Sequence, residues 1–237
     1  MFIPERERAV YRSLLGEMSA RGLPYAVGGG IAYSAYARRW RFTKDLDLYV
    51  RPADRQALIG LLEEAGFADL FPQQKYDRGW SYRGHQDGII VDLLWGMANY
   101  RSWVDDSWIA RGPDVELDGL AVRLLAPEEL FWSKLYVVCR ARSDWPDLLN
   151  MLNVVGPQMD WQRLLDRAGE DAPVVGGVLS LFSWLCPKKA QELPAWLWGR
   201  VGLLAPASST NGAADGRRAS LLFTGDWFGP TEGPVTT

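Results

Sequence analysis

The 237 residues include two cysteines, Cys139 and Cys186, and one histidine, His85. Two thiols do not make a disulfide framework, and a reduced compartment is the simpler reading. One histidine rules out a metal site built from several imidazoles. No Ser/His/Asp or Cys/His triad assembles around it, so His85 reads as a surface or core residue. No run of eighteen apolar residues occurs, so no membrane span and no membrane partner are expected. The charged opening stretch, residues 1–10, does not read as a secretory signal, and a cytoplasmic location is the expectation. A surplus of one charge is missing too: 26 Lys and Arg stand against 29 Asp and Glu, for a net charge of -3. Proteins that wrap nucleic acid without sequence preference are usually basic, so general DNA binding is not expected, although a local basic groove is compatible with this balance. The Gly-x-Gly-x-x-Gly dinucleotide fingerprint is absent as well.

What is present supports a core: 48% of the residues are apolar, and twelve tryptophans read as packing residues rather than a stacking platform. A first helix is expected from Pro4 to Arg21, with Leu14, Leu15 and Met18 on one face and Gly22 at its end. A short strand over Leu23–Val27 runs into Gly28-Gly29-Gly30, and a helix over Ile31–Ala37 follows. Strands are expected at Leu46–Val50, Phe67–Phe71, Trp80–Arg83 and Ile89–Trp95. A helix carrying Leu58, Leu61 and Leu62 lies between the first two and closes at Gly66. Asp118-Gly119 is a two-residue hairpin signal between apolar flanks. From Pro127 to about Leu203 the pattern is helical. Alternating elements followed by helices alone predict an α/β (α+β) catalytic half over residues 1–126 and a helical annex over 127–204. Residues 205–237, rich in Gly, Ala, Ser, Thr and Pro, read as a mostly disordered tail.

Asp45 and Asp47 stand two apart in a strand pattern and project to the same side, with Leu46, Leu48 and Val50 on the other. Two nearby carboxylates stay ionised together when a cation or several donors sit between them, and magnesium with its preference for hard oxygen meets that need. Asp92 is the single charged residue between Gly88 and Gly96, in a stretch that reads as buried. A lone buried carboxylate must be paired or bound to metal. If its strand lies beside that of Asp45 and Asp47, the three acids form one cluster able to hold two magnesium ions about 3.5–4 Å apart. Two blander readings stand beside this one: Asp-x-Asp pairs are mostly solvated, and Asp92 could pair with a core arginine.

A glycine turn between strand and helix lets the backbone approach a ligand, and the helix start offers free N–H groups suited to phosphate. It can equally be a tight turn with no ligand. Arg38, Arg39, Arg41 and Lys44 lie between the glycines and the acids and could neutralise triphosphate oxygens or form a solvated loop. Lys134 sits among Leu130, Phe131, Val137 and Val138 at helical spacing. Its ammonium needs an acceptor, such as a phosphate or the acidic cluster, or a route to water along its stem. Asp144 and Asp147 are candidates to cap a helix beginning near Pro146.

Taken together, Val27-Gly28-Gly29-Gly30, Asp45-Leu46-Asp47 and Val91-Asp92-Leu93 resemble the signature of the DNA polymerase β-type nucleotidyltransferase superfamily. Within it, Arg41 to Leu48 and Pro127 to Lys134, with Arg140, Arg142, Asp144 and Asp147 beyond, are similar to the bacterial stand-alone enzymes grouped with AbiEii-like toxins. The resemblance covers about residues 20–155. The triple glycine and Trp145-Pro146 depart from the family pattern. The fold it implies is polymerase β-like, a mixed sheet flanked by helices. The activity it implies is transfer of a nucleoside monophosphate from an NTP to an acceptor hydroxyl, with pyrophosphate leaving. Asp45 and Asp47 would bind both metals, two magnesium ions or manganese in their place. Asp92 would complete the catalytic metal site, and Lys134 would join the catalytic set. Gly28, Gly29, Gly30, Arg41, Thr43 and Lys44 would face the nucleotide. Acceptors in the superfamily include RNA 3′ ends, proteins and small molecules such as antibiotics. The alternative is a catalytically silent module of the same fold, a nucleotide sensor or one half of a toxin–antitoxin pair. A phosphatase or glycosyltransferase using an Asp-x-Asp pair ranks below both, because neither scheme needs an upstream glycine turn and a single buried downstream acid.

Overall fold

The computed structural model describes residues 3–39, 43–117, 119–139, 142–207 and 215–222. The chain divides into two compact units at residues 126 and 127, and Tyr36–Arg38 groups with the second. Among the described residues no helix is long and apolar enough to cross a membrane.

The first unit opens with α1, Glu5–Ala20, one residue shorter at each end than the sequence pattern suggests. Pro4 has no N–H to lose and takes the N-cap place, and Gly22 turns the chain at φ +63°. Tyr11, Leu14, Leu15 and Met18 form the buried stripe of α1. The expected strand over Leu23–Val27 shrinks to β1, Ala26–Val27. Its first residues serve the exit of α1 instead, with the Leu23 N–H donating to the Met18 carbonyl at 2.9 Å. Next come α2 (Gly29–Ala37), β2 (Asp45–Tyr49), α3 (Arg55–Glu64), β3 (Ala68–Asp69), β4 (Ser81–Gln86) and β5 (Ile89–Leu94). A five-residue helix, α4 (Asp106–Ala110), has no apolar period long enough to read from sequence. It is marked only by its Asp105 cap, which accepts from the Ser107 and Trp108 N–H groups. The hairpin β6 (Asp114–Leu117) and β7 (Leu120–Arg123) turns through Gly119 at φ +74°. Asp118 lies outside the described residues.

The five-stranded sheet has the order β1-β2-β5-β4-β3. β2 and β5 are parallel and every other neighbouring pair is antiparallel, so the sheet is mixed. The β2–β5 register places Asp47 opposite Asp92 and Asp45 opposite Ile90. The β4–β5 hairpin turns at Asp87-Gly88, both with positive φ (+50° and +84°), the geometry of a two-residue primed turn. That turn fixes Gln86 opposite Ile89 and, three pairs on, Arg83 opposite Asp92. On the other face, Leu46, Leu48, Val91 and Leu93 are completely buried.

The second unit is helical: α5 (Pro127–Leu135), α6 (Trp145–Val154), α7 (Trp161–Ala168), α8 (Ala172–Leu185), α9 (Pro187–Ala190), α10 (Ala195–Arg200) and α11 (Gly216–Ala219). Phe131 meets Trp161 edge to face at 6.1 Å in its core. Pro146 falls in the first turn of α6, where a missing N–H costs nothing. Of the stretch from residue 205, which composition marks as a tail, residues 215–222 are ordered around α11. The Asp215 N–H donates to the Leu185 carbonyl at 2.8 Å, and the Arg218 guanidinium lies over the Trp184 ring. Among the described residues both cysteines are free, Cys186 buried and Cys139 exposed.

Lys134 is an ionic knot of this unit. Its Nζ donates to Asp147 Oδ2 at 2.7 Å and to Asp144 Oδ2 at 3.0 Å, and all three side chains are under a tenth exposed. Arg142 Nε adds a bond to Asp144 Oδ1 at 2.8 Å. The lysine on an apolar stripe thus finds its acceptor in Asp144 and Asp147. Asp144 sits at the N-cap place of α6 but makes no side-chain cap bond, because its oxygens are taken. Burial pushes the Asp144 carboxyl up, but Arg142 and Lys134 outweigh it and hold the group below its ordinary value of 3.8. The pair therefore stabilises the unit above that pH and stops doing so as the pH falls through the lowered value. Lys134→Ala removes the ammonium that bridges two buried carboxylates and is expected to cost about 3–5 kcal/mol in chemical denaturation at neutral pH. A loss below about 1 kcal/mol would show that water reaches the pair.

Candidate active site

The site is built where three neighbouring strands present charged side chains to one face. In a parallel pair, residues opposite each other point the same way, and strands lie about 4.8 Å apart. Asp47 and Asp92 are such a pair, and Asp45, two residues before Asp47, shares the face. The face that holds the acids is therefore decided by the opposite one: Leu46 and Leu48 must be buried, so their neighbours cannot be.

Burial differs among the acids. The Asp92 side chain is 7% exposed and that of Asp45 is 30% exposed. Burial raises the Asp92 pKa from its ordinary value, the two bonds from Arg83 oppose that, and the Asp45 charge adds to the rise. Arg83 is the neighbour of the acids that motif reading misses. Its Nε donates to Asp92 Oδ1 at 2.7 Å and its Nη2 to Asp92 Oδ2 at 2.5 Å, a bidentate fork. The same Nη2 lies 3.7 Å from Asp45 Oδ2. The hydrogen bond to Asp92 is the largest influence raising the guanidinium pKa. A signal for it was in the sequence: a two-residue turn at Asp87-Gly88 forces Arg83 opposite Asp92.

The glycine turn packs onto the acids from the β1–α2 connection. The Gly28 N–H donates to the Asp47 carbonyl at 2.9 Å, and the Gly28 carbonyl accepts the first bond of α2, from Ala32. Gly29 has φ +52°, and a Cβ there would sit 1.6 Å from Asp47 Oδ2. No other residue fits, on backbone and on space alike. A Cβ at Gly30 would press on Thr43 Oγ1 at 2.9 Å. All three glycines therefore make close approaches, and Gly29 is the one against a carboxylate. The first-turn N–H groups of α2 have no partner within the helix and carry its positive end beside Asp47.

Thr43 precedes β2, and its Oγ1 donates to the Asp45 carbonyl at 3.2 Å and approaches Asp45 Oδ1 at 3.3 Å. Lys44 is exposed at the same strand start. Arg41 and Arg140 lie outside the described residues. Lys134 is held within the helical unit by Asp144 and Asp147. His85, on β4, faces Gln73 with Nε2 to Nε2 at 3.1 Å and belongs to no cluster of acids.

Among the described residues no three acidic, histidine or cysteine side chains stand as a ready metal cage. The donor chemistry nonetheless fits magnesium: three hard carboxylates share one face, and the guanidinium of Arg83 stands where a cation is needed between Asp92 and Asp45. A divalent ion would take Asp45, Asp47 and Asp92 as ligands, with Arg83 giving up part of its hold on Asp92.

The chain shows similarity to several solved structures. The antibiotic-resistance factor ANT(2'')-Ia, in its solution structure, is 17% identical, with a TM-score of 0.47 over 75% of this chain and 91% of that one. The lincosamide antibiotic adenylyltransferase LnuA, lincomycin-bound, is 14% identical, with a TM-score of 0.44 over 63% and 96%. JHP933 from Helicobacter pylori is 14% identical, with a TM-score of 0.42 over 76% and 79%. No curated protein matches the sequence at a significant level. The family model described as "Uncharacterised nucleotidyltransferase" matches residues 6–171. That span holds the glycine turn, all three sheet acids and Arg83, and over it the chain belongs to this nucleotidyltransferase family.

Proposed function

We propose that the chain is a metal-dependent enzyme that moves a nucleoside monophosphate from an NTP to an acceptor hydroxyl and releases pyrophosphate. The observation that carries the reading is the β2–β5 register, which sets Asp47 against Asp92 with Asp45 on the same face, beside the Gly29 turn. Two divalent ions, magnesium or manganese, would supply charge neutralisation at the phosphates and activation of the acceptor hydroxyl. Asp45 and Asp47 would hold both ions, and Asp92 would complete the site nearest the attacking oxygen. The amides at the start of α2 would hold triphosphate oxygens, and Thr43 would fix the start of β2. Lys44 would meet the outer phosphates. Lys134 contributes by tying α5 to α6. A cytoplasmic enzyme without membrane attachment suits this chemistry, since NTPs are plentiful there.

The acceptor is a hydroxyl on a small molecule, a protein or an RNA 3′ end. The near-balanced charge favours the first two over a long nucleic-acid track. One observation supports a second reading, a catalytically silent nucleotide-binding or toxin–antitoxin module: both oxygens of Asp92 are engaged by Arg83.

Incubation with each labelled NTP, magnesium and a cell extract separates the two. Wild type is expected to release pyrophosphate and label an acceptor. Asp47→Asn is expected to lose several kcal/mol of transition-state stabilisation, a rate loss of roughly a hundredfold or more. NTP binding without turnover against any acceptor would establish the silent module instead. Gly29→Ala forces a side chain into Asp47 at a positive φ. It is expected to weaken NTP binding, read by calorimetry, at least as much as it lowers the melting temperature; unchanged NTP affinity would remove the turn from the site.

A further inference from the structure

Arg83 is half-buried on β4, and the sheet register leaves it little choice of neighbour. β2, β5 and β4 present Asp47, Asp92 and Arg83 in one row across the sheet, and Asp45 stands one step along β2. The fork from Arg83 occupies both oxygens of Asp92, and its Nη2 leans toward Asp45 at 3.7 Å. A carboxylate that is 7% exposed cannot stay ionised without a cation close by. The guanidinium is permanently charged and has donors only, so it fills that role whatever the metal supply. A divalent ion that bridges Asp92 to the β2 acids needs an Asp92 oxygen turned toward β2. The Arg83 Nη2 that bonds Asp92 Oδ2 also lies 3.7 Å from Asp45 Oδ2, so an ion bridging the two acids and the guanidinium compete for the same space.

Resting on the nucleotidyltransferase reading above, we propose that Arg83 is a positioning residue and internal counter-ion. It keeps Asp92 aimed before metal arrives, and it is the group a divalent ion displaces on loading. The displacement changes only which cation each Asp92 oxygen meets, and no covalent bond is made or broken. Metal affinity in the absence of nucleotide is then held low by the arginine. Once freed, the guanidinium offers its donors at the edge of the site, where the phosphates of an NTP would satisfy them. Metal and nucleotide therefore load together better than either loads alone.

The test is binding of manganese alone, followed by electron paramagnetic resonance near pH 8, for wild type, Arg83→Gln and Arg83→Lys, with thermal melts in chelator and in manganese. Removing a charge-assisted fork from a metal ligand is expected to tighten manganese binding roughly tenfold or more in Arg83→Gln. Arg83→Lys keeps the charge but cannot hold both oxygens, so its affinity falls between the two. A simple change of local charge would leave the lysine variant equal to wild type. Arg83→Gln also melts below wild type in chelator and regains the difference with manganese. Manganese affinities of both variants no tighter than wild type overturn the proposal. Asp47→Asn separates this failure from failure of the functional reading. If wild type turns over NTP and Asp47→Asn loses manganese while the Arg83 variants bind like wild type, only the role of Arg83 falls. If Asp47→Asn binds manganese as tightly as wild type, the ions lie elsewhere and both fall.

Discussion

A carboxylate in the middle of an apolar strand is the constraint around which the first unit is arranged. Asp92 lies between Val91 and Leu93, both completely buried, and is itself almost out of water. Leaving such a group ionised and alone costs several kcal/mol. Each strand beside it answers that cost differently. β4 brings a cation, Arg83, in bidentate contact. β2 brings two more carboxylates, Asp45 and Asp47, to the same face. On the proposed reading, divalent ions meet the charge that Asp45 and Asp47 add to this face.

Much of this was legible in the sequence, because it follows from period and turn chemistry. Alternation in Asp45-Leu46-Asp47-Leu48 fixed which face the acids take, since the leucines had to be inside. The apolar run around Asp92 marked a central strand. The helical second half followed from the order of elements, and the mixed sheet from the family resemblance. What stayed hidden depended on pairing across the chain. That β2 and β5 are neighbours is a tertiary fact that local pattern cannot supply. Arg83 was different, because the Asp87-Gly88 turn counts it into register with Asp92, but motif reading looks for acids and overlooks their counter-ion. The short helix α4 escaped because five residues show no apolar period.

The helical unit solves the same problem with the opposite sign balance. Lys134 is a buried cation met by two buried carboxylates, and Arg142 contributes a second positive charge from a mostly exposed position. Among the described residues the helical cluster sets Lys134 and Arg142 against Asp144 and Asp147. In the sheet cluster Arg83 grips Asp92 and leans toward Asp45, with Asp47 in the same row. On the proposed reading the sheet cluster is the site, and the helical one ties α5 to α6. Perturbed carboxyls occur in both, lowered at Asp144 and raised at Asp92.

The glycine turn links the charge balance to ligand choice. Gly29 brings the start of α2 so close to Asp47 that even a methyl group is excluded. The positive end of the helix therefore already faces a carboxylate. A phosphate approaching the same amides meets that carboxylate at short range, and two anions at a few ångströms in a partly desolvated site repel strongly. Contact becomes favourable once a divalent cation lies between them and takes oxygens from both. On the proposed reading, the site takes a phosphate that arrives with a divalent metal in preference to bare phosphate. The residue that decides this is a glycine, because only a missing side chain lets the first turn of α2 come this close to the Asp47 carboxylate.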